Sequence, residues 1–137
     1  MRSIAVLMLG SSLLACTTVP PSPTRAARSA AELQSLIADK DAQAPVSCLP
    51  TYHASDMVVI DENTVAFRSG PSRVYVAHMN GPCSNLGGAG NYALLTLNTG
   101  GTGLCRGEIA RVVDTQSRIT VGSCSFGDFV PYAKPRN

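Results

Sequence analysis

The sequence predicts a mainly β protein: a small antiparallel barrel or sandwich of five to six short strands, stapled by disulfides and preceded by one short α-helix. From residue 45 onward, apolar and polar residues alternate in short segments separated by turn-forming residues. Four cysteines lie in that part of the chain. The chain has 137 residues, which is enough for one domain. Its composition, with 45% hydrophobic and 15% charged residues, is typical of a folded domain.

Residues 1–15 have the pattern of a secretory signal peptide. Arg2 makes the start positive, and the uncharged apolar run after it is too short to cross a bilayer as a helix, which needs about 20 residues. The run ends in Leu13-Leu14-Ala15-Cys16, which resembles the lipobox of bacterial lipoproteins. The resemblance implies that Cys16 begins the mature chain and carries diacylglycerol and an N-acyl chain such as palmitate. Thr17, where an aspartate would imply the inner membrane, implies the outer membrane, with the protein facing the periplasm.

Residues 16–28 are predicted to be the lipid anchor and a proline-rich tether. Prolines favour an extended chain of about 3.1 Å per residue, so residues 17–29 would span on the order of 40 Å. A short amphipathic helix is predicted over 29–44, because Ser29 and Glu32 have the spacing of a capping box. Its apolar residues form one stripe that we expect to dock on the β domain, and they are Leu33, Leu36 and Ile37.

Residues 45–137 are predicted to form the β domain. Two strands are expected around the turn Asp61-Glu62-Asn63, a third over 73–79, a fourth over 92–97, and a last hairpin across Thr115-Gln116-Ser117. In the third strand one face carries Val74, Val76 and His78. The tail after this hairpin is expected to plug one end of the core with its aromatic residues, which are Phe126, Phe129 and Tyr132.

The five cysteines are an odd number, and a lipid anchor at Cys16 would leave an even set. Export to an oxidising compartment then predicts two disulfides among the other four. Three pairings are possible. We favour Cys83–Cys105, at the two ends of a glycine-rich excursion, and Cys48–Cys124, which would join the first and last parts of the domain.

No pattern in the sequence indicates a metal, a cofactor or a catalytic site. The cysteines lack the C-x₂₋₄-C spacing of structural zinc sites, and paired cysteines cannot act as nucleophiles beside His53 or His78. The glycine-rich run 85–91 precedes a strand and holds no lysine, unlike a phosphate-binding loop. Most carboxylates fall at strand ends or turns, and the candidates are Asp56, Asp61, Glu62, Glu108, Asp114 and Asp128. We therefore predict that the protein is not an enzyme.

The spread of charge argues against a nucleic-acid partner. The formal net charge is +2, and the basic residues are scattered without a run. Such a surface has no strong field to attract a polyanion. The predicted partners are the membrane, through the N-terminal lipid, and an unidentified envelope protein.

Several short motifs carry a wider resemblance: "IDENTVAFRS" before "VYVAHM", then "LCRGEIARVVD" and "GSCSFGDFVP". With Cys48 and Cys83, they make the run from Cys48 to Pro131 resemble a family of small exported bacterial proteins, found in sphingomonads and related proteobacteria and known only as a domain of unknown function. The family implies a small disulfide-bonded, mainly β domain and brings no activity.

The leading functional prediction is a non-enzymatic envelope lipoprotein that binds a partner or supports the envelope. Its candidate surface is the glycine-rich loop with Tyr75 and the C-terminal aromatic residues. The alternative is an inhibitor of a secreted or periplasmic hydrolase, acting through a loop at 84–104 closed at its base by Cys83–Cys105. A third class, an enzyme, would use a site around His78, Arg106 and Glu108.

Overall fold

The computed structural model describes residues 22–49, 56–87, 91–96 and 103–135. Cys16, the signal segment, His53 and residues 88–90 of the glycine-rich loop lie outside them. In chain order the described elements are α1 (Pro23–Ile37), β1 (Asp41–Ala42), β2 (Cys48–Leu49), β3 (Met57–Val59), β4 (Thr64–Arg68), β5 (Arg73–Met79), β6 (Tyr92–Thr96), β7 (Leu104–Cys105), β8 (Ile109–Asp114) and β9 (Thr120–Ala133). None of the helical residues described belongs to a segment long and apolar enough to cross a membrane.

Six strands form a nearly closed antiparallel barrel in the order β3-β4-β5-β9-β8-β6. This confirms the predicted fold class and selects the barrel over the sandwich. The first hairpin turns at Asp61–Asn63, as predicted, and pairs Val59 with Val65. The last predicted hairpin is β8–β9, with Ala110 opposite Cys124. The short strands β2 and β7 pair with each other outside this path.

The fourteen-residue strand β9 joins the two halves of the barrel. Its first half pairs with β8 and its second half with β5. Between these halves the register with β5 shifts, because Ala77 is opposite Phe129 whereas Met79 is opposite Phe126. The extra residue on β9 is a β-bulge, which bends a strand and raises its twist. The bulge lets one strand serve both halves of a strongly curved sheet.

The tail prediction was wrong about secondary structure, because residues 126–133 continue β9. Phe126 and Phe129 do pack in the core, as expected. Pro131 is tolerated within the strand because its missing N–H does not face β5. Its carbonyl oxygen accepts a hydrogen bond from the Gln43 N–H at 2.8 Å, and the N–H and C=O of one strand residue point to the same edge. The missing donor therefore faces the short segment around β1, as expected for proline at the border of a sheet.

The core fills the barrel and is built around the chain's three phenylalanines. The ring centroids of Phe67, Phe126 and Phe129 lie 5.9–6.0 Å apart, within the range of favourable aromatic pairs. Tyr75 is also buried, at 8% exposure. Tyr75, Phe126 and Phe129 were predicted to form a binding surface with the glycine-rich loop, and this part of the prediction is wrong because their side chains belong to the core. Tyr132 is half-buried and packs against the cluster under α1.

Helix α1 docks on the outside of the barrel through the predicted stripe. Leu33, Leu36 and Ile37 pack against a second apolar cluster on the outer face of β3, β4 and β5, which consists of Ile60, Ala66, Val74 and Val76. The helix begins at Pro23, six residues before the predicted start, because proline is well suited to the first helical position and alanine and arginine favour the turns after it. The capping-box prediction was wrong: Ser29 lies inside the helix, and its Oγ donates to the Ile60 carbonyl at 2.8 Å.

The helix also ends earlier than predicted, at Ile37. Asp39 has a φ of 56°, a left-handed conformation that terminates a helix. The Lys40 Nζ donates to the Leu36 carbonyl at 3.0 Å and so satisfies one of the last helical acceptors. Strand β1 follows at once and pairs with the end of β9, so the sheet begins four residues before the predicted boundary at 45.

All four cysteines of the β domain form disulfides, as predicted, but the favoured pairing was wrong. The bonds are Cys48–Cys105 and Cys83–Cys124. Cys48 and Cys105 are paired directly across the β2–β7 ladder. Cys83 and Cys124 both belong to the core inside the barrel. The sequence between Cys83 and Cys105 is not an excursion closed at its base, because β6 within it is part of the barrel.

Candidate functional site

A cleft of about 300 Å³ lies between the first half of α1 and the β3–β4 turn. We call it the α1 cleft. Its apolar lining comes from Ala26, Ala30, Leu33, Ile60 and Leu86, and its charged lining from Arg25, Asp61 and Glu62. Its volume is at the lower end of the range for small-molecule sites, which are typically apolar with a few polar groups.

Local hydrogen bonds hold the turn that forms one wall of the α1 cleft. The Asp61 carboxylate accepts from the Asn63 N–H at 2.8 Å, and the Ile60 N–H donates to the Thr64 carbonyl at 3.0 Å. This Asx turn is what the residues Asp61-Glu62-Asn63 predicted. The Glu62 carbonyl accepts from the Cys83 N–H at 2.7 Å, which attaches the turn to the chain leaving β5.

Gly87 closes the end of the cleft by lying against the turn. It has a φ of +69°, and a Cβ at this position would be 3.0 Å from the Asp61 Cα. Only glycine meets both conditions without strain. The neighbouring Leu86 is buried in the core. The first residues of the glycine-rich loop therefore form a fixed wall rather than a projecting binding loop.

The outer side of β6 and β8 carries a second candidate surface, formed by Leu95, Ile109 and Arg111. We call it the β8 face. Leu95 pairs with Arg111 across the two strands, and Ile109 lies two residues before Arg111 on the same side. Leu95 is 52% exposed and Ile109 54%. Two further aliphatic side chains near the start of β9 are exposed, Ile119 and Val121.

The residues of the possible enzyme site each have a different local partner. The Arg106 guanidinium forms a salt bridge with Asp128 at 3.1 Å on the surface. Glu108 accepts a hydrogen bond from the Cys105 N–H at 3.2 Å, which confirms the structural role considered for it. Its other oxygen is buried and has no partner in the described part of the chain. His78 is exposed, with its Nδ1 3.5 Å from the Thr64 Oγ1.

The Asp114 carboxylate organises the β8–β9 turn. It accepts hydrogen bonds from the Gln116 N–H at 2.8 Å and the Ser117 N–H at 3.0 Å. These hydrogen bonds lower the pKa of Asp114 below its usual value, because they favour the ionised carboxylate, and the bond from the Ser117 N–H has the largest effect. The turn closes with Arg118 at a φ of 59°. Asp114 is therefore a turn-forming residue.

Across residues 22–49, 56–87, 91–96 and 103–135, no group of three His, Cys, Asp or Glu side chains is placed to hold a metal ion. The α1 cleft was not foreseen from the sequence. Arg25 is distant in the chain from Asp61 and Glu62, and these residues line one cleft only because α1 starts at Pro23 and lies beside the β3–β4 turn. No local signal could have revealed it, because the sequence pattern placed Arg25 in the tether and not in the helix.

Comparison with known proteins adds the family. No curated protein and no solved structure matches the chain. One family model matches residues 1–125, which is most of the chain and includes both disulfides. The chain therefore belongs to a family of unknown function, DUF6491.

Proposed function

We propose that the protein is a non-enzymatic lipoprotein of the cell envelope, anchored in the outer membrane and facing the periplasm, whose barrel binds an envelope partner. The observation that carries the proposal is the pairing of the cysteines. Four of the five form two disulfides, and Cys16 is the fifth. Disulfides fit an oxidising compartment, and a remaining cysteine after a signal-peptide pattern fits lipid attachment.

The start of α1 shortens the expected tether. Ser22 is the N-cap of the helix, so six residues, 17–22, separate Cys16 from α1. At about 3.4 Å per residue these span at most about 20 Å, half the distance expected for a helix starting at Ser29. Lipidation of Cys16 would therefore keep the α1 side of the barrel close to the membrane surface.

The β8 face is the surface we assign to the partner. In the barrel order, β8 is three strands away from β4, whose outer side α1 covers. In a six-stranded barrel these two strands are on opposite sides, so the β8 face points away from the anchored side. Leu95 and Ile109 give it an apolar centre and Arg111 a charge, a combination that is common in protein interfaces.

A non-enzymatic role is supported by how the candidate catalytic residues are engaged. Arg106 pairs with Asp128, and Glu108 accepts a hydrogen bond from the Cys105 N–H, so each has a local partner other than His78. The inhibitor alternative loses its structural basis, because Cys83 and Cys105 do not pair with each other.

Fractionation of cells producing the Cys16→Ser variant tests the anchor. We expect the wild type in the membrane fraction and the variant released from it with its circular dichroism spectrum unchanged. If the folded variant stays in the membrane fraction, the lipid anchor is wrong.

Crosslinking in intact cells tests the partner surface. We expect Ile109→Lys to reduce a specific crosslinked product, while Gln34→Lys, at an exposed position of α1 on the opposite side of the barrel, leaves it unchanged. Equal products from both variants would remove the β8 face from the proposal.

A further inference from the structure

We propose that the α1 cleft binds the zwitterionic headgroup of an aminophospholipid, taken from the membrane in which Cys16 is anchored. The inference rests on the proposed lipid anchor for the source of the ligand. The chemistry of the ligand is inferred from the cleft itself, which has separated opposite charges, an apolar floor and a small volume.

The two walls of the cleft carry opposite charges that do not neutralise each other. Arg25 lies on the α1 wall, and Asp61 and Glu62 lie on the turn wall. All three side chains are half-buried, and within the described residues none of them forms a salt bridge. A phosphate would match the Arg25 guanidinium, and an ammonium group would match the carboxylates. A ligand with both groups a few bonds apart uses both walls at once.

The volume limits the ligand to a headgroup. Water occupies about 30 Å³ per molecule in the liquid, so a cleft of about 300 Å³ holds about ten water-sized groups. That is enough for an ethanolamine, a phosphate and part of a glycerol, and too little for two acyl chains. The apolar residues Ala26, Ala30 and Ile60 would contact the carbon atoms between the charged groups.

The position of the cleft explains why a membrane lipid is the source. Arg25 and Ala26 lie in the first turn of α1, immediately after the short tether. A tether of about 20 Å keeps this part of the protein within reach of the headgroup layer. The β8 face, on the other side of the barrel, has neither this position nor paired opposite charges.

Amide chemical shifts of the purified protein, titrated with glycerophosphoethanolamine, test the proposal. This probe is soluble, so the experiment needs neither a membrane nor the lipid at Cys16. We expect saturable shifts at Asn63 and Gly87, which line the cleft. Ethanolamine alone and glycerol 3-phosphate alone should bind more weakly, because each uses one wall. Glycerophosphocholine should also bind more weakly, because its quaternary ammonium cannot donate hydrogen bonds to the carboxylates.

Matched variants identify the charges responsible. Arg25→Gln and Glu62→Gln should each weaken binding about fivefold, the upper range for a partly exposed ion pair. Arg28→Gln and Glu32→Gln remove the same charges from exposed positions on α1 outside the cleft and should leave the Kd unchanged. A higher salt concentration should weaken binding to the wild type.

The proposal is overturned if glycerophosphoethanolamine gives no saturable shifts. It is also overturned if Arg25→Gln and Glu62→Gln bind as tightly as the wild type, or if either half of the headgroup binds as tightly as the whole. None of these outcomes depends on the Cys16 anchor, whose failure is seen separately in the fractionation of Cys16→Ser.

Discussion

Replacing Gly127 by alanine should destabilise the barrel more than the same substitution at Gly122, the other glycine of β9. Gly127 lies in the bulge, and a Cβ there would be closer than 3.0 Å to the carbonyl oxygen of His78 on β5. The clash is with backbone, so no side chain can rotate to relieve it. Overpacking of this kind costs about 3 kcal/mol, and the reduced entropy of the unfolded chain returns about 0.5–1 kcal/mol. The net loss is about 2 kcal/mol or more.

Urea denaturation with the disulfides intact measures this loss. With a slope of about 2 kcal/mol/M, the midpoint for Gly127→Ala should fall by about 1 M. Gly122→Ala is the matched control, because a Cβ there would be 3.2 Å from the Ser84 carbonyl oxygen and needs only a small shift. We expect it to cost no more than about 1 kcal/mol. A Gly127→Ala midpoint equal to that of Gly122→Ala would refute the role assigned to the bulge.

Three further predictions follow from the described contacts. Removing one disulfide as the double variant Cys83→Ala/Cys124→Ala should lower the free energy of unfolding by about 4 kcal/mol, from the chain-entropy cost of a loop of 41 residues; an unchanged urea midpoint would contradict it. Leu36→Ala should cost about 1–2 kcal/mol, because its half-buried side chain docks α1, and loss of amide protection should be confined to that helix. In an NMR titration, the Asp114 carboxyl should have a lower pKa than the carboxyl of an aspartate in an unstructured chain. Ionised Asp114 therefore stabilises the fold at pH values above the pKa of the unfolded state, and this stabilisation is lost as the pH falls through the pKa of the folded state. Asp114→Asn should remove this contribution to the pH dependence of stability. A pKa for wild-type Asp114 equal to that of an unstructured aspartate would contradict the turn geometry.

The strands of the barrel could be predicted because local pattern and tertiary structure agree there. Val65 and Phe67 alternate with residues of the other face, and the structure places them inside the barrel. Asp61 and Asp114 each begin a turn by accepting backbone N–H groups, a local interaction that the sequence carries. The docking of Leu36 could also be predicted, because an apolar stripe of helical spacing needs a surface to cover.

The helix start and the disulfide pairing depend on information that is not local. Pro23 is compatible both with an extended tether and with the first turn of a helix, and contact of α1 with the barrel decides for the helix. Ser29 has the spacing of an N-cap, yet Ile60 offers it a partner from another element. The pairing of Cys48 with Cys105 requires the β2–β7 register, which only the complete fold defines.

The candidate sites were the least predictable feature. Tyr75 and Phe129 were assigned to a binding surface, but a small barrel needs both side chains in its core. The α1 cleft combines Arg25 with Glu62 from a separate element, and no spacing in the sequence connects them. The lengths of α1 and the tether, rather than a motif, determine which side of the barrel can meet a membrane.

Mass spectrometry of the N-terminal peptide tests the central claim most directly. The protein is extracted with detergent from the membranes of cells that produce it, and the peptide that precedes α1 is isolated. The proposal predicts a mature chain that begins at Cys16 and carries the mass of a diacylglycerol and an N-acyl chain. A chain that begins at any other residue, or an unmodified Cys16, would contradict it.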